Sequence, residues 1–440
     1  MILDLTICAL AIVAMLALIL FKPNLAIKQM NISIFWLAPV IGAVVLLACK
    51  LVDIGEVWAS FTSSNAVNPL KILTLFISMT AISVFLDEVG FFRFLATATL
   101  TRAGVSQKKL FVYLYATVSF LTVFTSNDII ILTFTPFICY FAKNANINPT
   151  PYLFGEFVAA NTWSMALIIG NPTNIYLAST FGVNFVEYLK YMIIPTICGG
   201  VTAFVLLILI FRKSLRAPIE KAILVPQGER FSDKFLVIVG LVALAVCTIL
   251  LVISSYIGLE MWAICLGCAL ALFAVTLIYK LAKKQKPREL SKCLARLPWE
   301  LIPFVLSMFV LVLSLDKCGF TEKFARALGG ENTILFYGLS SALVANVINN
   351  IPMSVFYCSA LAQLPTAGLL QGVFASVIGS NIGAFLTPVG ALAGIMWSSI
   401  LRHNGIKFSF VDFLKYGFAI AIPTLLASLG GLYLSFAIIG

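Results

Sequence analysis

The chain has 440 residues, of which 61% are hydrophobic and only 11% are charged, with a formal net charge of +11 and a mean hydropathy of +1.05. This composition, with apolar runs from end to end, excludes a separate soluble domain and predicts a polytopic membrane protein. The basic residues lie in short loops between apolar runs, where they indicate topology rather than a nucleic-acid-binding surface.

The first half contains six apolar stretches that are predicted membrane segments. The first stretch lacks a basic leader and a small-residue cleavage site, so we expect a retained helix rather than a signal peptide. Polar residues interrupt the fourth and fifth stretches. The six stretches are residues 3–21, 31–51, 69–86, 110–141, 151–180 and 192–211.

A charged segment, residues 212–233, follows and carries Pro218 and Pro226, which is typical of a linker. The second half then repeats the order of the first, again with interruptions in its fourth and fifth stretches. Its apolar stretches are residues 234–254, 256–279, 299–315, 333–364, 368–401 and 416–439.

Four polar breaks interrupt these stretches, and we predict that they form the functional site. Lipid cannot satisfy irregular backbone, so such breaks are tolerated only where they are buried in protein or line a cavity. Secondary transporters build solute and ion sites from discontinuous helices of this kind. The candidate binding residues are Thr125, Ser126, Asn127, Asp128, Asn161, Gly170, Asn171, Thr173, Asn174, Asn349, Asn350, Asn381, Thr387 and Gly390.

The two halves share sequence motifs at corresponding positions. Leu-Asp-x-x-Gly-Phe at residues 86–91 recurs at 315–320, and in the same register Asn161 matches Asn381 and Gly170 matches Gly390. We therefore predict a duplicated unit, as in many transporters. The predicted parts are a first repeat at 1–211 (hairpin 108–143, broken helix 151–181), a cytoplasmic linker at 212–233, and a second repeat at 234–440 (hairpin 332–365, broken helix 368–401).

The predicted topology has ten crossings, two opposed re-entrant hairpins and both ends outside. Five crossings separate the two Leu-Asp-x-x-Gly-Phe elements, and an odd number inverts the second repeat. Residues 87–104 and 316–328 are predicted interfacial helices, with plain loops as the alternative. With the linker in the cytoplasm, the positive-inside rule is obeyed. Of the 29 Lys and Arg, the only ones left outside are Lys50, Lys71, Lys190, Lys317, Lys323 and Arg326.

Several motifs resemble those of the arsenite/antimonite efflux permeases, and the resemblance covers nearly the whole chain. They are Leu86-Asp87-Glu88-x-Gly90-Phe91-Phe92, Asn127-Asp128, Thr135-Pro136, Pro298-Trp299, Asn349-Asn350-x-Pro352 and Thr387-Pro388-Val389-Gly390-Ala391-Leu392-Ala393. Those permeases belong to the ion-transporter superfamily, which also holds Na⁺-coupled dicarboxylate and citrate carriers. The resemblance implies an all-α, elevator-type carrier with inverted repeats. Its hairpin tips would be residues 126–128 and 349–352, and its unwound breaks 170–174 and 387–390.

The resemblance implies arsenite or antimonite efflux across the cytoplasmic membrane, coupled to a proton gradient. Arsenite permeases carry Asp where this chain has Asn161 and Asn381, and dicarboxylate carriers carry Ser-Asn-Thr at both tips. The Asn residues at 161 and 381 depart from the arsenite pattern. The departure from Ser-Asn-Thr, with Asp128 ending the first tip and Asn-Asn-Ile-Pro at the second, favours arsenite or another small inorganic solute over a dicarboxylate. The alternatives are a Na⁺-coupled anion or dicarboxylate carrier and a Na⁺/H⁺ antiporter.

The residues themselves agree with a small polar solute. Asn, Ser and Thr can hydrogen-bond a neutral hydroxylated species or a small oxyanion, and the absence of Lys and Arg from the four breaks disfavours a multivalent anion. An intramembrane carboxylate is a functional candidate by default. Asp128 and Glu156 are therefore predicted coupling carboxylates, with a helix cap as the alternative for Asp128 and an interfacial position for Glu156.

Neither a catalytic nor a metal site is expected. Cys265-x-x-Cys268 lies mid-span without ligand partners, and the single histidine, His403, lies in a basic loop. We expect no cofactor beyond a bound Na⁺ or a transported proton. The expected partners are a small inorganic solute and the lipid bilayer, and a homodimer and a cytoplasmic ATPase subunit are left open.

Overall fold

The computed structural model describes residues 2–21, 24–27, 30–62, 68–219, 233–328 and 332–439. The described residues are helical apart from loops and a two-stranded antiparallel hairpin, β1 (Asn24–Ile27) and β2 (Met30–Ser33). The prediction of a helical membrane protein is confirmed, and the β1–β2 hairpin is a departure that the sequence did not predict. Seven described helical stretches are long and apolar enough to cross a membrane, judged by length and composition.

The first half follows the predicted order of segments. Its helices are α1 (Ile2–Phe21), α2 (Leu37–Ala48), α3 (Ile54–Thr62), α4 (Pro69–Glu88), α5 (Phe91–Ala103), α6 (Gln107–Phe124), α7 (Asn127–Ala145), α8 (Thr150–Trp163), α9 (Pro172–Thr180), α10 (Phe185–Ile210) and α11 (Arg212–Arg216). The predicted stretch 31–51 is helical only over α2, because β2 occupies its start and the chain turns at Lys50, where φ is 56°. Of the predicted linker, residues 220–232 lie outside the described residues.

The second half has a similar series of helices. Its helices are α12 (Lys234–Ile257), α13 (Met261–Ala282), α14 (Arg288–Arg296), α15 (Leu301–Lys317), α16 (Phe320–Leu328), α17 (Thr333–Ile348), α18 (Asn350–Leu361), α19 (Thr366–Gly383), α20 (Leu392–His403) and α21 (Phe410–Ile439).

The repeated Leu-Asp-x-x-Gly-Phe motif has the same local structure in both halves. Gly90 (φ 89°) separates α4 from α5, and Gly319 (φ 71°) separates α15 from α16. Glycine adopts positive φ without the steric cost that a Cβ atom adds, so it is the residue expected where a long helix ends and the chain changes direction. The motif thus encodes a long helix followed by a short one.

Contacts between the halves are reciprocal. Helix α4 packs against α13 and α15 against α2, while α7 packs against α20 and α18 against α9. Helices α10 and α21 pack against each other. If α2 corresponds to α13, α4 to α15, α7 to α18 and α9 to α20, each of these contacts recurs with the two halves exchanged. A two-fold relation between the halves requires such pairs of contacts. The inverted orientation of the repeats stays a prediction.

Exposed apolar residues on α10 are spaced four apart and so follow one face of the helix. Each of them is between 45% and 55% exposed, whereas 14 of the 20 residues of α4 are buried. A helix with an apolar outer face fits a lipid environment. The residues on this face are Ile193, Ile197, Val201, Val205 and Leu209.

Site-directed labelling tests the predicted inversion. In a cysteine-free variant, single cysteines at Lys284 and Lys323, both of which are exposed, should react with membrane-impermeant maleimide from opposite sides. Lys284 should be cytoplasmic and Lys323 external, because the basic loops belong inside. Labelling of both positions from the same side would contradict inverted repeats.

Candidate functional site

The first hairpin tip lies between α6 and α7 and is tethered to the end of α8. Thr125 follows the last residue of α6, and its Oγ1 donates a hydrogen bond to the Leu121 carbonyl at 2.8 Å. Asn127 Nδ2 donates to Asn161 Oδ1 at 3.1 Å, and Asn161 Nδ2 donates to the Phe157 carbonyl at 2.8 Å. Asn127 and Asn161 are both buried, so each amide finds its partner within the protein rather than in solvent.

The first helix break consists of two short 3-10 helices, Ser164–Ala166 and Ile168–Gly170, between α8 and α9. Asn171 restarts the α-helix, since its Oδ1 accepts the backbone N–H of Thr173 at 3.1 Å. Asn174 Nδ2 donates to the carbonyls of Ser164 at 2.8 Å and Leu167 at 3.1 Å. The amide of Asn174 therefore satisfies carbonyls that the break removes from helical pairing.

Position 170 requires glycine because the backbone at Gly170 passes very close to the backbone at Ser164. A Cβ atom on Gly170 would lie 2.2 Å from the Ser164 carbonyl oxygen, which belongs to the backbone and cannot rotate away. We expect Gly170→Ala to destabilise the carrier by about 1–3 kcal/mol or more and to lower the midpoint of its thermal denaturation.

Gly430→Ala is the matched control for that substitution. A Cβ atom on Gly430 meets nothing within 4 Å, and alanine is favoured over glycine inside a helix by about 0.5–1 kcal/mol. Equal midpoints for the two alanine variants would contradict the role given to Gly170.

Asn381, near the end of α19, connects the second half to the first break. Its Oδ1 accepts from Ser164 Oγ and Asn171 Nδ2, both at 2.9 Å. Its Nδ2 donates to Asn174 Oδ1 at 2.7 Å and to the Val377 carbonyl at 2.8 Å. All four hydrogen-bonding positions of this buried amide are thus occupied. Asn381 is the centre of a network that joins the two halves.

The second tip is fastened to the second break in the same way. Asn349 (φ 73°) donates from Nδ2 to the Val389 carbonyl at 3.1 Å, and Asn350 N–H donates to the Gly390 carbonyl at 3.1 Å. Asn346 Oδ1 accepts from Thr387 Oγ1 at 2.7 Å, and its Nδ2 donates to the Gly383 carbonyl at 2.8 Å. Tip and break therefore form one hydrogen-bonded unit.

Most of the predicted residues fall into two hydrogen-bonded groups in the structure, and the side chains of Thr125, Ser126 and Asp128 lie outside both groups. One contains the first tip, the first break and Asn381, and the other contains the second tip and the second break. All of the predicted residues are buried except Asp128 and Thr387, which are half-buried. Convergence of all four breaks on one cavity stays a prediction.

Three members of these groups were missing from the sequence-based candidates: Ser164, Asn346 and Ser380. Ser380 Oγ donates to Thr173 Oγ1 at 2.9 Å and so adds a second link between α19 and the first break. Ser164 and Ser380 each lie within three residues of a candidate Asn, and this closeness in sequence could have indicated them as members of the site. Asn346 lies inside an apolar helix, and only its polarity there could have indicated it.

Asp128 lies in the first turn of α7 and lines a cavity of about 500 Å³, which we call the tip cavity. Its other polar lining residues include Thr80, Ser126, Arg296 and Glu300. The hydroxyls of Thr80 and Ser126 are buried and have no hydrogen-bond partner among the described residues. A carboxylate and two unsatisfied hydroxyls thus border a space large enough for a small polar solute.

Arg296 is held by two acids at the end of α4. It forms ion pairs with Asp87, at 2.7 Å, and with Glu88. Thr133 Oγ1 of α7 donates to Asp87 Oδ1 at 2.8 Å, so this cluster connects α4 and α14 with the second arm of the first hairpin. Arg296 carries one positive charge and is paired with two carboxylates, and Glu300 lines the same cavity. This end of the tip cavity therefore has more negative than positive charge.

Glu156 does not reach the surface. Its side chain is 1% exposed, and Thr135 Oγ1 lies 3.0 Å from each carboxyl oxygen. The interfacial alternative for Glu156 is therefore wrong, because the residue faces α7 from within the fold.

Comparison with known proteins agrees with a transporter. The profile of the citrate transporter family, CitMHS, matches residues 3–379. The arsenical pump membrane protein of Escherichia coli (strain K12) is 27% identical over 436 residues, covering 95% of this chain and 96% of that protein. The putative arsenical pump membrane protein of Bacillus subtilis (strain 168) is 26% identical, covering 89% and 92%.

Solved structures show the same fold. The Alcanivorax borkumensis YdaH transporter has a TM-score of 0.57 at 15% identity, covering 99% of this chain and 98% of that one. Neisseria gonorrhoeae MtrF has a TM-score of 0.50 at 12% identity. Because the family profile spans most of the sequence, the protein belongs to the citrate transporter family and is a multi-pass secondary transporter of the membrane.

Proposed function

We propose that this carrier exports arsenite or antimonite, driven by an ion gradient, and that transport without covalent chemistry is its whole activity. The observation that carries the proposal is the network of neutral amides and hydroxyls at the breaks, centred on Asn381. Relatives named as arsenical pump membrane proteins match over nearly the full length and support the same solute.

The chemistry of the breaks fits a neutral trihydroxy solute such as As(OH)₃. Four helices begin at the tips and breaks: α7 at Asn127, α9 at Pro172, α18 at Asn350 and α20 at Leu392. The positive dipole ends of these helices favour electron-rich oxygen atoms. Asn and Thr side chains supply both donors and acceptors, so hydroxyl groups can be bound without a full charge.

We assign ion coupling to Asp128. It is the carboxylate that borders the tip cavity beside the first tip, whereas Glu156 is enclosed by protein and contacts Thr135. A carboxylate at this position can take up and release a proton as the site changes access. In this proposal the two halves are inverted repeats, and the hairpins and broken helices move together as an elevator.

A citrate or dicarboxylate is the second candidate, because the matching family is described as citrate transporters. A multivalent carboxylate calls for cationic partners, and Arg is the residue that binds carboxylates in a bidentate manner. The four breaks contain neither Lys nor Arg. The basic residue of the tip cavity, Arg296, is already paired with Asp87 and Glu88, and the cavity is also bordered by Asp128 and Glu300. These features favour the neutral solute.

A solute panel separates the two candidates. Purified carrier is heated with arsenite, antimonite, phosphate, sulfate, citrate or succinate, each with and without Na⁺, and its denaturation midpoint is recorded. A solute at about 100 times its Kd should add close to 3 kcal/mol to the stability. Arsenite and antimonite should raise the midpoint and citrate should not. The reverse pattern would contradict the proposal.

A further inference from the structure

A second cavity, of about 590 Å³, lies on the other face of α20 from the tip cavity. We call it the basic cavity. Its charged lining residues are Arg402, at the end of α20, and Lys407, in the loop before α21. Both are exposed, and neither has an ion-pair partner among the described residues. The cavity therefore presents two uncompensated positive charges.

A third donor belongs to Trp397, which also lines the basic cavity. Trp397 is 1% exposed, and its indole Nε1–H is buried without a hydrogen-bond partner in the described structure. An indole N–H can only donate, and leaving a buried donor unpaired costs about 1–3 kcal/mol. An acceptor supplied by a ligand would remove that penalty. Two cations without an ion-pair partner, of which Arg402 donates one hydrogen bond to the Ser398 carbonyl, and one buried donor without a partner thus favour an oxygen-rich, anionic ligand.

The remaining wall is apolar. Phe408, Phe413 and Leu401 line it, together with Ile19 at the end of α1. The acid nearest in sequence, Asp412, is not part of the lining and is hydrogen-bonded to Ser409. A soluble anion would gain nothing from these aromatic and aliphatic surfaces, whereas an acyl chain would.

We propose that the basic cavity binds an anionic phospholipid, with its phosphate between Arg402 and Lys407 and an ester oxygen accepting from Trp397. The predicted topology places this end of α20 at the cytoplasmic face, where basic pockets between helices meet anionic headgroups. The cavity extends to Pro388 and Val389 of the second break, so the lipid would support that break from the side away from the tip cavity. The proposal is independent of which solute is carried.

Native mass spectrometry of the purified full-length carrier tests this site. The carrier is titrated with phosphatidylglycerol and with phosphatidylcholine of the same chain lengths. Phosphatidylglycerol should bind at least about tenfold more tightly, and Arg402→Gln with Lys407→Gln should abolish the preference, since each basic residue near an anionic lipid contributes about a factor of five. Trp397→Phe keeps the ring and should weaken phosphatidylglycerol binding severalfold.

The matched control is Lys286→Gln with Lys292→Gln, which removes the same charge from exposed positions on α14 and the loop before it. This control should keep the wild-type preference. Equal loss in both double variants would show a general charge effect and overturn the proposal. Displacement of phosphatidylglycerol by millimolar inorganic phosphate, or equal binding of phosphatidylcholine, would overturn it as well.

Discussion

Replacing Asn381 by leucine should reduce arsenite transport by about 100-fold or more while the carrier remains folded. Leucine offers no partner to Ser164, Asn171 or Asn174, which now converge on the Asn381 amide. Each buried polar group left without a partner costs about 1–3 kcal/mol, so the first break cannot keep its arrangement against α19. Initial rates of uptake into proteoliposomes measure the effect, and size-exclusion chromatography checks the fold.

Asn144→Leu is the matched control, because the Asn144 amide nitrogen is buried without a partner and lies far along α7 from the tip. It should transport within about twofold of wild type, as expected for a substitution that removes no hydrogen bond. If Asn381→Leu were folded and as active as Asn144→Leu, Asn381 would not organise the site.

Asn381→Asp offers a test that keeps the shape of the side chain. An ionised Asp can only accept, so it would face the Asn174 Oδ1 atom and the Val377 carbonyl, which now accept from Asn381. A protonated Asp could still donate to one of them. Transport by this variant should therefore fall as pH rises and the carboxyl group loses its proton. A pH profile identical to that of wild type would contradict the hydrogen-bond assignment.

Replacing Asp128 by asparagine should abolish gradient-driven accumulation and preserve solute exchange. Exchange requires the binding site but no net proton movement, whereas accumulation requires a group that changes protonation. Asparagine keeps the size of the side chain, and no side-chain hydrogen bond of Asp128 caps the start of α7 in the described structure, so the substitution removes no helix cap. We expect pH-jump-driven uptake to fall at least about tenfold, the factor that corresponds to 1.4 kcal/mol of lost driving force.

Both readouts are taken on the same proteoliposomes, so a difference between them cannot come from the amount of protein. Glu156→Gln is the comparison, since Glu156 is enclosed and contacts Thr135 rather than the tip cavity. Intact pH-driven accumulation by Asp128→Asn would remove Asp128 as the coupling group. Loss in Glu156→Gln alone would transfer that role to Glu156.

Much of this architecture could be predicted because polar residues in apolar runs are conspicuous. The breaks at Thr125–Asp128 and Gly170–Asn174 stand out in the sequence, and the structure places helix ends at both. The repeated motif likewise predicted matching positions in the two halves, and the structure places a helix end next to Gly90 and next to Gly319. These features are local, so the order of the residues is enough to reveal them.

The remaining features depend on tertiary contacts. No sequence pattern shows that Asn346 reaches the Gly383 carbonyl and Thr387, or that Arg296 pairs with Asp87 about 200 residues earlier. The extent of α2 was overestimated because hydrophobicity alone does not distinguish a strand such as β2 from a helix end. Side chains that join distant segments become visible only when the fold brings them together.

Counterflow of arsenite tests the central claim most directly. Proteoliposomes loaded with millimolar unlabelled arsenite are diluted into trace radiolabelled arsenite, and uptake is followed with no ion gradient present. A carrier with a solute site should show a transient overshoot that saturates with external arsenite and is absent in Asn381→Leu. Uptake that rises linearly without an overshoot, or an overshoot with citrate and none with arsenite, would contradict the account.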